Sequence, residues 1–118
     1  MTNIYTLVYD TLEPLGYLRS EQGTYTEKDT LPETFITYFI IGSGNDDYGD
    51  NQPISQSWRV QLALYSKKPS IKQTADELFK SVLLPANFMP QPGGRDLPFE
   101  KKTGHFGWTR DYNYFELL

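Results

Sequence analysis

Cysteine is absent from the 118-residue sequence, and histidine occurs once, as His105. Without cysteine the chain cannot form disulfides, zinc–thiolate sites or a thiol nucleophile, and it suits assembly in a reducing cytoplasm. A nucleophilic triad needs a base beside its nucleophile, and imidazole metal sites normally use more than one histidine or a cysteine. We therefore expect no catalytic residue, no cofactor and no metal ion, and a structural role for His105.

Long apolar runs and basic clusters are also missing. No segment approaches the ~20 apolar residues that span a bilayer, and Met1 to Tyr5 lacks the basic region of a signal peptide. We therefore expect no signal peptide and no membrane partner. The net charge is −4, and an acidic chain without a basic cluster is a poor nucleic-acid binder.

The charge is spread unevenly along the chain. Residues 1–56 hold nine acidic and two basic residues, a balance of −7, whereas residues 57–118 hold six acidic and nine basic residues, a balance of +3. Such asymmetry can serve head-to-tail association of an acidic with a basic surface. The simpler interpretation, that halves of a sequence are not faces of a fold, is favoured at this point.

The clearest structural pattern is the alternation in Ser55 to Tyr65. Apolar residues recur there at every second position, namely Trp58, Val60, Leu62 and Leu64. A period of two is typical of a strand with one buried face. Because strand-like segments lie on both sides of it in the chain, we predict that it is the central strand of an antiparallel sheet.

A second strand is predicted for Thr34 to Ile41, which is almost wholly β-branched or aromatic. Both of its faces are apolar, one carrying Phe35, Phe39 and Ile41 and the other Ile36, Tyr38 and Ile40. Such a strand is expected to be covered on both sides, or covered once and used as an interface.

Two amphipathic helices flank these strands. Ile4 to Leu12 carries one apolar stripe after a possible cap at Thr2, and Ile71 to Val82 carries another after a Ser70–Gln73 capping box. Short strands are predicted at 17–20 and 86–91 and a long strand at 106–118, with 98–105 an edge strand or a mobile segment. The expected fold is one α+β domain over residues 1–118, a mostly antiparallel sheet with two helices on one face, in the order α-β-β-β-α-β-β.

Residues 42–54 are predicted to form a long loop that stands off the end of the sheet. The loop clusters Asp46, Asp47 and Asp50 near a glycine, which invites a calcium interpretation. An EF-hand requires glutamate at its twelfth position, and counting from Asn45 or Asp46 places Gln56 or Ser57 there. A solvated acidic loop is therefore favoured.

The chain also resembles small proteins from the head–tail gene modules of tailed phages and prophages of Gram-positive bacteria. The resemblance is carried by Tyr9-Asp10, Tyr17, Glu21-Gln22-Gly23, Phe35, Tyr48-Gly49-Asp50-Asn51-Gln52-Pro53, Trp58, Val60, Leu62, Tyr65-Ser66 and Pro69. Asp50 to Pro53 ahead of Trp58 is the most distinctive part. In size and α+β pattern the chain is similar to tail terminator, or tail-completion, proteins.

The resemblance implies a virion structural protein and not an enzyme. Tail terminators form a homo-oligomeric ring, commonly hexameric, that caps the tail tube and provides the surface for head–tail joining. The implied partners are further copies of the chain, the tail tube protein and a head–tail connector or neck protein, with DNA only as passing cargo. The implied location is the tail–neck region of the virion after assembly in the host cytoplasm.

Seven residues are candidates for contacts in such a ring. They are Asp46, Asp47, Tyr48 and Asp50 of the predicted loop and Phe35, Tyr38 and Ile40 of the predicted strand. The three aspartates are expected to face the channel or a partner, because an acidic lumen repels passing DNA.

Three alternatives remain open. A head-closure or neck protein would use a similar ring on the portal side. A ligand-binding module would place Trp58, Trp108 and Tyr112 around one apolar pocket in a monomer. An enzyme with carboxylate chemistry would need a buried Asp or Glu with a strongly perturbed pKa in a cleft.

Overall fold

The computed structural model of the chain describes residues 3–21, 31–45, 48–49, 52–53 and 55–117. The elements in chain order are α1 (Ile4–Thr11), β1 (Leu18–Glu21), β2 (Thr34–Asn45), β3 (Tyr48–Gly49), β4 (Gln52–Pro53), β5 (Ser55–Ser66), α2 (Ile71–Leu83), β6 (Phe88–Pro90), β7 (Arg95–Glu100) and β8 (His105–Leu117). Short 3-10 turns follow each helix, at Glu13–Leu15 and Leu84–Ala86.

Six strands form one sheet in the order β1-β2-β5-β8-β6, with β7 also paired to β8. Strand β5 lies in the middle, as predicted. Strand β1 is parallel to β2, and the other pairs are antiparallel. Strands β6 and β7 share the outer edge of β8, β6 at residues 112–114 and β7 near its start. The predicted α+β fold with a mostly antiparallel sheet is confirmed.

Both helices pack on one face of this sheet. Val8 of α1 and Phe79 of α2 are fully buried against the alternating residues of β5 that the sequence singles out. Trp58 keeps 6% of its surface, whereas Val60, Leu62 and Leu64 keep none. We call this side the helix face of the sheet and the opposite side the open face.

The helix ends depart from prediction in two places. Asn3 caps α1, its side-chain oxygen accepting from the backbone N–H groups of Tyr5 and Thr6 at 3.1 and 3.2 Å. The predicted cap, Thr2, lies outside the described residues. At α2 the predicted capping box does not form, because Ser70 (φ −61°, ψ −17°) already has helical backbone angles and its side chain makes no capping bond.

The segment predicted as a loop from Gly42 is largely paired. Strand β2 continues to Asn45 alongside β5, from the Gly42–Arg59 pair to the Asn45–Gln56 pair, and β3 pairs with β4. A bulge at Ile41 shifts the register between Ile40 and Gly42. The glycine and serine residues of this segment show no alternation of apolar side chains, so the sequence does not indicate a strand. Backbone pairing with β5 holds the strand in place instead.

Among the described residues, no helix has both the length and the hydropathy needed to cross a membrane.

Candidate interaction surface

We call the end of the open face where β2 and β8 begin its lower part, and the opposite end its upper part. The lower part carries a small aromatic cluster. The Phe35 ring stacks on Tyr65 with centroids 5.1 Å apart and meets the His105 ring edge-on at 5.0 Å. The His105 Nε2–H group donates to the Pro32 carbonyl at 2.9 Å, and its Nδ1 is buried without a described partner. In this structure His105 is 2% exposed and packs between strands.

The predicted contact residues of β2 are mostly buried by the chain's own packing. Phe35 and Tyr38 each retain 6% of their surface, and Ile40 is half-buried on the helix face. Little of Phe35 or Tyr38 is therefore available to a partner. Tyr48 lies in β3, but its side chain, like Asp46, Asp47 and Asp50, lies outside the description.

Phe39 and Ile41 are the exposed apolar residues of β2, at 49% and 46%. They follow the point where β1 stops, since Glu21 at its end pairs with Tyr38. Beyond Tyr38, no described strand pairs with the outer edge of β2. The apolar faces predicted for Thr34 to Ile41 were the signal for this surface, but the sequence could not show where β1 ends.

A second apolar surface lies at the opposite edge of the sheet, where β8 extends beyond the end of β6. Strand β6 pairs only with Tyr112 to Tyr114, and β8 continues to Leu117. The residues around this end form an apolar groove of about 540 Å³, lined by Leu84, Asn87, Met89, Tyr114, Phe115, Glu116 and Leu117. We call it the edge groove; Met89, Phe115 and Leu117 are 59%, 48% and 76% exposed.

A shallow trough of about 250 Å³ lies between these two surfaces. Gly42 and Gly44 form part of its floor, and a Cβ at either position would meet nothing within 4 Å. Arg59 borders the trough and forms an ion pair with Asp111 at 2.8 Å. The upper end of the open face thus exposes backbone and apolar side chains together.

The uneven charge of the sequence can be compared with the order of the strands in the sheet. Because β5 is central, α1, β1 and β2 lie on one side of it and α2, β6, β7 and β8 on the other. The first side comes from the acidic half of the sequence and the second from the basic half. Five of the nine acidic residues of the first half, Glu27, Asp29, Asp46, Asp47 and Asp50, lie outside the described residues, so the simpler interpretation given above stays a prediction.

The principal ion-pair network joins α2 to β8 on the helix face. Arg110 donates through Nη1 to Asp76 and through Nε to the Gln91 carbonyl, at 2.9 and 2.8 Å, and Lys80 lies 3.0 Å from Asp76. Burial raises the pKa of Asp76, but Lys80 and Arg110 together outweigh it and hold that pKa below its ordinary value. Asp76 therefore stays ionised, as a structural ion pair requires.

Tyr112 lies beside this network and is fully buried. Its hydroxyl has no described hydrogen-bond partner, and burial, with the nearby charge of Asp76, raises its pKa to about 12. The phenol therefore stays neutral at physiological pH.

The three aromatic residues of the ligand-pocket alternative all belong to the buried core. Trp108 and Tyr112 pack against Phe79 in the core, with ring centroids 6.2 and 6.4 Å away, whereas Trp58 borders the trough. Within the described ranges, no group of three or more His, Cys, Asp or Glu side chains is placed to hold a metal ion.

A scan of the chain against protein-family models finds no matching family.

Proposed function

We propose that this chain is a phage tail terminator, a virion structural protein that forms a ring on the tail tube and supplies the joining surface for the head. The resemblance in sequence suggests the class. The observation that carries the proposal is that, among the described strands, none pairs with β2 beyond Tyr38 on its outer edge or with β8 beyond Tyr114 on its outer edge, and that exposed apolar side chains flank both places.

Exposed strand edges flanked by apolar residues favour association, because each edge offers free N–H and C=O groups to another chain. Isolated soluble proteins usually shield such edges with charge, proline or a covering element. Here the β2 edge is flanked by Phe39 and Ile41, and the β8 edge by Phe115 and Leu117. Contacts between copies would remove these surfaces from water.

The length of the strands suits a subunit that forms part of the wall of a ring. Strands β2 and β5 each contain 12 residues, and at about 3.3 Å per residue each reaches about 40 Å. Subunits standing side by side around an axis would present one end of these strands to the tube and the other to the neck.

The acidic residues Asp46, Asp47 and Asp50 belong to the segment between β2 and β5. Under this proposal they face the channel or a partner, where negative charge keeps passing DNA from sticking. Their reversal to Lys is expected to slow assembly or DNA passage.

The test is electron microscopy of the purified protein mixed with tail tubes of the phage or prophage that encodes it. A ring at one end of each tube supports the terminator. Binding to neck or portal particles with bare tube ends would instead identify a head-closure protein. A monomer that binds neither structure would contradict both functions.

A further inference from the structure

We propose that the lower end of the sheet, where β2 and β8 begin and β5 ends, binds an acidic segment of a partner protein. The surface is a basic patch, formed by the side chains of Lys67, Lys68, Lys72, Phe99, Lys101 and Phe106. The inference goes beyond the proposed function and holds whether or not the chain forms a ring.

Strand pairing brings two distant segments of the chain together in this patch. Ser66, the last residue of β5, pairs with Phe106 near the start of β8. The chain continues from β5 into Lys67 and Lys68, while Lys101 lies in the turn that leads into β8. These lysines form no single cluster in the sequence, because β6 and β7 lie between the two segments.

Two aromatic rings form the apolar centre of the patch. Phe99 and Phe106 have ring centroids 4.6 Å apart, and the Lys72 ammonium lies 5.2 Å from the Phe106 centroid. Phe99 keeps 47% of its surface exposed, and the other three lysines of the patch are exposed as well. An exposed aromatic centre inside a polar, solvated rim is the composition expected of a protein–protein contact.

The described acidic residues at this end are too few to neutralise the lysines. Glu33 lies 3.7 Å from Lys68 in an exposed and therefore weak pair. The Glu100 carboxylate accepts from the backbone N–H of Lys102 at 3.1 Å. Among the described residues of this end, basic side chains outnumber acidic ones, so the patch is positive on a chain whose net charge is −4.

The lysines are unfavourable for the helix that begins beside them. Helix α2 has no acidic residue in its first turn, although a helix N-terminus carries partial positive charge and is stabilised by acidic side chains. Lys68 precedes this terminus and Lys72 lies within the first turn. The first N–H groups of α2 are already bonded to the carbonyls of residues 68–70 at 3.0–3.2 Å, so the lysine side chains are the groups left to bind an anion. Positive charge that does not stabilise the helix indicates a role outside the fold.

Charge and the aromatic centre together favour an acidic protein segment over nucleic acid. A nucleic acid is a long polyanion, and beyond the patch it meets a chain of net negative charge, which weakens its binding. A protein segment with a few Asp or Glu side chains around an apolar one covers only the patch. Under the ring proposal, this partner would belong to the structure that contacts the lower end of the subunits.

The test measures binding of a fluorescently labelled glutamate–tyrosine copolymer, which offers carboxylates and aromatic rings, by fluorescence anisotropy. The wild type is expected to bind it with an affinity that falls as salt is raised. Lys72→Glu and Lys101→Glu should each weaken binding about 3-fold, and the double variant on the order of 10-fold. Lys72→Glu should unfold at no lower urea concentration than the wild type, because it places an acidic side chain at the helix N-terminus.

Arg95→Glu is the matched control. Arg95 is exposed at the start of β7, opposite Thr109, and its reversal changes the net charge by the same amount as Lys101→Glu at the other end of the strand. It should bind the copolymer like the wild type. Phe99→Ser tests the aromatic centre separately and should remove the binding that persists at high salt, and circular dichroism establishes that each variant is folded.

Three results would overturn the inference: no binding of the copolymer by the wild type, equal losses in Arg95→Glu and Lys101→Glu, or tighter binding of a single-stranded DNA oligonucleotide through the same lysines. The last result would make the patch a nucleic-acid surface. Tail tubes capped by the wild type would in each case leave the proposed function standing. Copolymer binding through the patch by a chain that never engages tail tubes would leave this inference standing while the proposed function fails.

Discussion

Tyr38 and Phe39 are neighbours in β2, yet Tyr38 is 6% exposed and Phe39 is 49% exposed. Tyr38 points to the helix face, where it joins the core, and Phe39 points to the open face, where nothing described covers it. Both residues fit the same apolar strand pattern. The difference shows that both faces of this sheet carry apolar residues, while the chain's own helices cover only one face.

The largest effect is expected from removing a large core side chain on the helix face. Phe79→Ala deletes a fully buried ring that contacts Trp108 and Tyr112. It should lower the free energy of unfolding by about 3–5 kcal/mol, from lost burial and the cavity left behind. Urea denaturation at low protein concentration, where assembly contributes least, measures it. A loss below about 1 kcal/mol would mean that α2 is not docked as described.

A smaller loss is expected from adding one methyl group on the packed, lower part of the open face. A Cβ at Gly107 would lie 2.8 Å from the Tyr65 ring and 3.1 Å from Leu97. Gly107→Ala should therefore cost about 1–3 kcal/mol of stability.

Gly44→Ala is the matched control, since a Cβ there meets nothing within 4 Å on the upper, open part of the same sheet. Its stability should stay within about 0.5 kcal/mol of the wild type in thermal or urea unfolding. Equal losses of stability in Gly107→Ala and Gly44→Ala would show that the lower and upper parts of this face are packed alike.

The Asp76–Arg110 pair allows a test by pH. The lowered pKa of Asp76 means that its ionised form stabilises the fold above the ordinary value of 3.8, and that this contribution is lost as pH falls through the folded-state pKa. Asp76→Asn should cost about 1 kcal/mol near pH 6, because the site is partly screened by solvent, and progressively less toward pH 2.

Urea denaturation across this pH range measures the difference between Asp76→Asn and the wild type. Glu77→Gln, an exposed change on the same helix, is the control and should follow the wild-type profile. A penalty for Asp76→Asn that stays constant from pH 6 to pH 2 would contradict a role for the ionised carboxylate.

The smallest effect on the isolated chain is expected at Phe39 itself. Phe39→Ala removes a half-exposed side chain and should change the monomer's free energy of unfolding by no more than about 0.5 kcal/mol. The same change should clearly weaken self-association, measured by sedimentation velocity. A loss of several kcal/mol in the monomer would show that Phe39 belongs to the core instead of an interface.

The sequence predicted the parts of the fold that rest on local periodicity. The alternation around Val60 and Leu62 identified the central strand, and the helical stripes identified α1 and α2. It missed the continuation of β2 through Gly42 and Gly44, because those residues carry no side-chain pattern and are held by backbone pairing to β5. It missed Asn3 as the cap because Thr2, one residue earlier, is also a favoured capping residue type.

The candidate surface was only partly predictable for a related reason. The apolar faces of Thr34 to Ile41 indicated a possible interface, but Phe35 and Tyr38 are buried and Phe39 and Ile41 are exposed. That division depends on where β1 ends beside β2. The edge groove could not be foreseen either, because it arises where β6 stops short of the end of β8. Both features follow from the lengths of paired strands, which the residues themselves do not encode locally.

The account depends on copies of this chain joining through the open upper end of the sheet. Sedimentation velocity of the wild-type protein over a range of micromolar concentrations tests this most directly. The account predicts one discrete, closed oligomer, with six chains as the expected number. A protein that sediments as a single chain at all concentrations, including those reached in an assembling virion, would contradict it.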